Sequence, residues 1–162
     1  MADGICARDL MRTDFLRVRV DQNLGDALAA LQGRQGGPGM PSALMVVDDD
    51  GQYQGMLTAR LLIRLLAGGH AEEDRVDDMM LLTIARDRLA IAIGDVLVAD
   101  IPVVEPADRL LTMIRRGAAM RLDFLPVVEN GCPLGFAPIT AIFQAAAGMA
   151  LKPEDEGVRF DQ

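Results

Sequence analysis

Tryptophan is absent from this 162-residue sequence, and aromatic residues together make up only 4% of it. A core without large rings has to be built from Leu, Val, Ile, Ala and Met, and an apolar fraction of 51% is ample for that. The ten methionines suit the same role, because a flexible thioether fills irregular gaps; a Met-lined partner groove is the other use of such residues. Lysine is almost missing too. Lys152 stands alone, the arginines are scattered among acids, and the net charge is −8. A protein that tracks a phosphate backbone needs clustered cations, so nucleic acid is not expected as a partner. An anionic small molecule stays open, since one arginine outweighs the global charge at short range.

Other scarcities exclude further classes. Cys6 and Cys132 are the only cysteines and form no C-x-x-C pair, which suits reduced thiols in the cytoplasm. His70 is the only histidine; it stands beside Glu72, Glu73 and Asp74, but no second His or Cys lies at ligand spacing, so no metal is expected. Asp48-Asp49-Asp50 lacks the alternating acids and distant Glu of a calcium loop. The glycine-rich stretch 33–39 lacks the Gly-Lys-Ser/Thr of a phosphate loop and reads as a flexible excursion or a partner contact. No apolar run reaches the roughly 18 residues that span a bilayer. The first twelve residues show no charged start followed by an apolar stretch, so no signal peptide is expected. No Ser or Cys has a recognisable base partner, so an enzyme is not expected.

What the sequence does have is a second copy of itself. Asp9-Leu10-Met11, Asp14-Phe15-Leu16 and Leu24 return 86 positions later as Asp95-Val96-Leu97, Asp100-Ile101-Pro102 and Leu110. Val46-Val47-Asp48-Asp49-Asp50-Gly51 with Gly55 returns as Val127-Val128-Glu129-Asn130-Gly131 with Gly135, at an offset of 80 or 81. The first copy therefore carries about five extra residues, which the 33–39 stretch accounts for.

Each copy reads as β-α-β-β-α. In the first, Leu16–Val20 alternates apolar and charged residues as a half-buried strand does. Asn23 is placed to cap a helix carrying Leu24, Ala27, Leu28 and Leu31. Ala43–Val47 reads as a buried strand, Asp49-Asp50-Gly51 as a hairpin turn, and Tyr53–Leu57 as the returning strand. Leu61, Leu62, Leu65 and Leu66 mark a helix ended by Gly68-Gly69. The second copy predicts a strand near Ile101–Val104, a helix over 107–119, strands over Phe124–Val128 and Leu134–Ala137 around Asn130-Gly131, and a helix over 139–149. Residues 72–92 read as a linking helix. The expected division is a first repeat over 1–70, a linker over 71–92, a second repeat over 93–150 and a polar tail over 151–162.

This duplicated β-α-β-β-α order, with Val-Val-Asp-Asp-Asp-Gly…Gly-Met-Leu-Thr in one copy and Leu-Pro-Val-Val-Glu-Asn-Gly…Gly-Phe-Ala-Pro in the other, resembles the cystathionine-β-synthase-type (CBS) repeat family from about Ala7 to Met149. The resemblance implies an α/β fold of two repeats related by a pseudo-two-fold axis, often called a Bateman module. It further implies a regulatory homodimer whose clefts take AMP, ATP or S-adenosylmethionine, acting on a separate protein partner. No cofactor is required. The alternative is a ligand-independent dimerisation or interaction scaffold.

The family pattern after the third strand is Gly, two apolar residues, Ser or Thr, two variable residues, then Asp. Copy one reads Gly55-Met56-Leu57-Thr58-Ala59-Arg60-Leu61, with Leu61 in place of the Asp. Copy two reads Gly135-Phe136-Ala137-Pro138-Ile139-Thr140-Ala141, so both hydroxyl and carboxylate are missing and Pro138 has no N–H to offer. Copy one is thus the better candidate cleft, with Thr58 either contacting a phosphate or simply capping its helix, and Arg60 beside it. The resemblance places Thr13, Phe15, Asp100 and Ile101 at strand entries where they bracket a base or merely pack. It places Met45, Met56 and Pro126 on the cleft strands, and Arg121 just before the strand leading to Pro126.

Overall fold

The computed structural model describes residues 4–33, 43–69, 75–97, 101–119 and 123–152. The first half begins with a one-turn helix α1 (Ala7–Leu10), in which the Cys6 N–H donates to the Asp9 carboxylate at 3.0 Å. Strand β1 (Leu16–Arg19) follows, then α2 (Leu24–Gly33). Asn23 and Asp26 start α2 as a reciprocal cap: the Asp26 N–H donates to Asn23 Oδ1 at 2.8 Å and the Asn23 N–H to Asp26 Oδ2 at 3.1 Å. Strand β2 (Ala43–Val47) runs parallel to β1 and antiparallel to β3 (Tyr53–Thr58), giving a sheet of order β1-β2-β3. Gly51 closes the hairpin at φ +77°, a conformation side chains resist. Helix α3 (Ala59–Ala67) starts at Thr58 and stops at Gly68 in the left-handed region.

Helix α4 (Asp78–Arg88), capped by Asp77, lies within the expected linker and packs on α3. The second half then repeats the plan with α5 (Ile93–Val96), α6 (Leu110–Ala119), β4 (Phe124–Glu129), β5 (Cys132–Pro138) and α7 (Ile139–Ala150).

One expected element is corrected. Residues 101–104 do not form a strand; only a single parallel bridge, Val104 to Val127, remains of it. In that bridge Val104 N–H donates to Pro126 O and Val128 N–H donates to Val104 O, both at 2.9 Å. The next rung would need an N–H on residue 102 and another on residue 126. Both are prolines, so neither bond can form. The outward carbonyl of Val103 is taken instead by the Arg116 guanidinium. The equivalent stretch of the first half has Leu16 and Met45 at those places, and its ladder is complete.

The halves exchange their leading segments. Ala7 is buried in the core of the second half beside Val104, Leu125 and Ile142, while Ile93 is buried in the first beside Val18, Leu44 and Leu57. Ala7 N–H donates to Asp108 O at 2.8 Å, and its counterpart Ile93 N–H donates to Gln22 O at 2.8 Å. Leu110 N–H donates to Ile5 O and Leu24 N–H to Ile91 O, each at 3.0 Å. Every residue in these bonds has its partner 86 positions away, so the hydrogen bonding obeys the pseudo-two-fold symmetry. The motif glycines receive the exchanged segments: Gly55 faces Leu97, and Gly135 faces Met11 and Arg12. A Cβ at Gly135 would stand 2.3 Å from the Arg12 carbonyl oxygen, so only glycine fits.

Candidate functional site

Where the halves meet, a third apolar cluster forms around Ala43, Met45, Met56 and Phe136, with Phe15, Tyr53, Ile101 and Phe124 packed against it. Its members come in symmetry pairs: Met56 with Phe136, Phe15 with Ile101, and Ala43 with Phe124. The seam therefore straddles the pseudo-two-fold axis. The ring of Phe124 meets that of Phe136 edge-on at 5.2 Å, a favoured aromatic geometry. The guanidinium of Arg17 lies over the Phe15 ring at 5.2 Å. Met45 and Met56 are each 1% exposed and Phe136 is fully buried, so the halves are closed onto one another.

Four of the residues expected to bracket a base, Phe15, Met45, Met56 and Ile101, are thus brought into one cluster. Pro126, the counterpart of Met45, is buried, while Thr13 is exposed. Pro138 is half-buried at the start of α7 with no side chain to cap it. Asp100, Arg121 and His70 with its neighbouring acids lie outside the described residues, as does most of the 33–39 stretch.

Thr58 is buried, and its hydroxyl accepts the Leu61 N–H at 3.1 Å. Of its two expected uses, the structure displays the helix cap. Arg60, in the first turn of α3, reaches across the halves: its Nε stands 3.4 Å from Asp123 Oδ2, with side chains 70% and 51% exposed. Exposed pairs of this kind are worth about 0–1 kcal/mol, so the guanidinium is held only loosely. Asp123 precedes Phe124 of the seam, and its carbonyl accepts the Ile139 N–H at 2.9 Å. The starts of α3 and α7 therefore converge beside the seam.

Asp123, Phe136 and Tyr53 escape the sequence reading. Asp123 carries no local signal. Phe136 was legible in principle as the counterpart of Met56. Tyr53 also joins the seam, with its N–H donating to Gly131 O of the other half at 2.7 Å, and burial raises the pKa of its phenol above the ordinary tyrosine value. A separate depression of about 700 Å³ lies against the irregular 101–108 stretch. Among its described lining residues the one cation, Arg116, is already bound to Asp108 at 3.3 Å and to the Val103 carbonyl.

Residues 7–68 match the family model of the CBS domain. A CBS domain-containing protein of unknown function from Kribbella flavida superimposes with a TM-score of 0.63 at 24% identity, over 88% of this chain and 99% of that one. CBSX2, a CBS-pair protein from Arabidopsis thaliana, superimposes with a TM-score of 0.69 at 20% identity, over 93% and 99%. The structure of CBSX2 in complex with AMP gives 0.64 at 21% identity, over 91% and 99%. At such identities the likeness is one of fold. A comparison with curated proteins finds no match. Among the described residues no helix is long and apolar enough to cross a membrane.

Proposed function

We propose that this chain, a CBS-domain pair, is a cytoplasmic regulatory module that homodimerises and senses a small anionic ligand of the adenine-nucleotide kind, without catalysing a reaction. The observation that carries the reading is the seam on the pseudo-two-fold axis. Flat and polarisable side chains from both halves face one another there, which is the lining a purine ring prefers. Arg60 stands beside it in a weak ion pair that a phosphate can replace. The AMP complex of CBSX2 supports the choice of ligand class. In this reading Thr13, Phe15, Met45, Met56, Asp100, Ile101 and Pro126 are assigned to the base, and Thr58, Arg60, Arg121 and Pro138 to the ribose and phosphate.

Because the seam is closed, a ligand has to favour a minor arrangement in which the halves part, and that differential affinity is the signal. The outlet is an apolar helical face. Ile63 on α3 and its counterpart Phe143 on α7 are 67% and 69% exposed, and Leu28 on α2 pairs in the same way with Ile114 on α6. Two copies burying these residues would make an isologous dimer.

A second reading, a ligand-independent dimerisation or interaction scaffold, draws support from three features. Leu61 and Ala141 replace the motif carboxylate, Thr58 is engaged as a cap, and the seam is packed shut. Thermal unfolding with AMP, ATP and S-adenosylmethionine separates the two. A ligand at 100 times its Kd adds about 2.7 kcal/mol of stability, and Arg60→Ala should diminish that gain. A dimer that none of the three ligands stabilises would favour the scaffold. Sedimentation of the Ile63→Glu/Phe143→Glu double variant tests the dimer face, with a monomer as the expected result.

A further inference from the structure

Among the residues of the apolar cluster, Tyr53 carries the one side-chain oxygen. That oxygen is fully enclosed and has no hydrogen-bond partner among the described residues. Its ring packs on the cluster of Met45, Met56 and Phe136, and its backbone is tied to Gly131 of the opposite half. The repeat symmetry does not call for it, since the counterpart of Tyr53 in copy two is Pro133, which has no polar side chain. A buried hydroxyl without a partner opposes the closed state, and a phenylalanine of the same shape would avoid that cost.

We infer that the Tyr53 hydroxyl is the group that hydrogen-bonds the edge of a flat heteroaromatic ring entering the seam, and that its lack of a partner in the closed state helps set the balance between closed and ligand-bound arrangements. Burial keeps the phenol protonated, so it stays a donor at any physiological pH. A heteroaromatic ring supplies what the site lacks: two apolar faces for the sulfur and ring atoms, and an in-plane nitrogen or carbonyl that accepts from Tyr53. The inference rests on the ligand-sensing reading above and adds to it the residue that reads the ring.

The chain holds one tyrosine and no tryptophan, so any tyrosine signal belongs to Tyr53 alone. The experiment is calorimetric titration of AMP into the parent protein and into Tyr53→Phe. It is joined by NMR of parent protein carrying a ring-labelled tyrosine, and by thermal unfolding of both proteins. The expected result has opposite signs in its two arms: Tyr53→Phe unfolds about 2–4 °C higher yet binds AMP about tenfold more weakly, the scale of one hydrogen bond. The single tyrosine resonance moves on titration of the parent. A lower unfolding temperature for Tyr53→Phe would show that the hydroxyl already has a partner and would overturn the inference. Equal AMP affinity in both proteins would overturn it too, while leaving nucleotide sensing in place. No AMP binding to the parent would remove the sensing reading itself, and the inference with it.

Discussion

Replacing Gly135, buried in the middle of β5, by alanine should destabilise the chain markedly. The added Cβ would sit 2.3 Å from the Arg12 carbonyl oxygen and 3.1 Å from its carbonyl carbon. Carbon–oxygen contacts settle at about 3.3–3.6 Å, so two stretches of backbone must part by about 1 Å. Neither can turn a rotamer to escape. The parting strains the reciprocal bonds between Arg12 and Phe136, at 2.8 and 3.0 Å, which dock the leading segment of one half onto the sheet of the other. Losing two such bonds costs about 1–3 kcal/mol net, and overpacking alone costs a similar amount through the same displacement. A loss of about 2–3 kcal/mol corresponds to a fall of about 4–12 °C in Tm for a chain of this size. Gly55→Ala is the internal comparison, because its Cβ would meet the flexible Leu97 side chain, at 2.8–3.0 Å, rather than backbone. It should cost less. Thermal unfolding by circular dichroism, with hydrogen exchange at the Arg12 and Phe136 amides, reads both effects. A Gly135→Ala protein unfolding within about 1 °C of the parent would refute the assignment of the exchanged segment.

Thr58→Ala removes the bond to the Leu61 N–H and should lower stability by about 1 kcal/mol, measured by urea unfolding, whereas Thr58→Ser should keep most of it. Arg60→Ala should change stability by less than about 1 kcal/mol, because its ion pair with Asp123 is exposed. A marked loss of AMP affinity in that same variant would separate a binding role from a structural one. The Cys6 N–H and thiol hold the Asp9 carboxyl below the ordinary aspartate range. A depressed folded-state pKa adds stability above the unfolded value that disappears as pH falls through the folded one. Asp9→Asn should therefore lower stability at neutral pH and flatten the acid limb, the two proteins converging as pH falls through the folded value, which thermal unfolding from pH 2 to 7 would show.

The elements of the first repeat were legible because each carries a local cause: the alternation of Leu16–Val20, the Asn23 cap, the glycines at 51 and 68. The failed strand at 101–104 looked equally sound, since Ile-Pro-Val-Val is strand-like in composition. Its loss depends on Pro102 and Pro126 sharing one rung, and a rung is a fact of register between distant segments. The exchange of α1 and α5 was hidden for a related reason. Two matching copies reveal that segments are equivalent, but not which core each one enters. The seam was half legible. Met45 lies in a continuous apolar run, which conceals that its two faces are buried by different halves of the molecule. Asp123 and Tyr53 become visible as site residues only once the halves are docked.

Helix α3 joins the proposed ligand end of the module to its proposed dimer face. Thr58 and Arg60 stand at its start, Leu62 is locked in the core, and Ile63 projects outward. Over nine residues such a helix moves as a rod, so releasing Arg60 from Asp123 and tilting the helix start must displace Ile63. Helix α7 carries Phe143 in the equivalent place but begins at Pro138, which offers no cap, and has Thr140 where α3 has Arg60, so its first turn holds no cation. Ligand input is therefore one-sided while the dimer face is two-sided. Linkage sets the test: if AMP changes the dimer dissociation constant by some factor, dimerisation changes AMP affinity by that same factor. Sedimentation with and without AMP gives the first quantity. Titration of the parent dimer and of the Ile63→Glu/Phe143→Glu monomer gives the second. Matching factors different from one would establish the coupling. Tight AMP binding with both factors equal to one would mean that ligand and dimer face are independent, and the signal would have to leave the molecule by another surface.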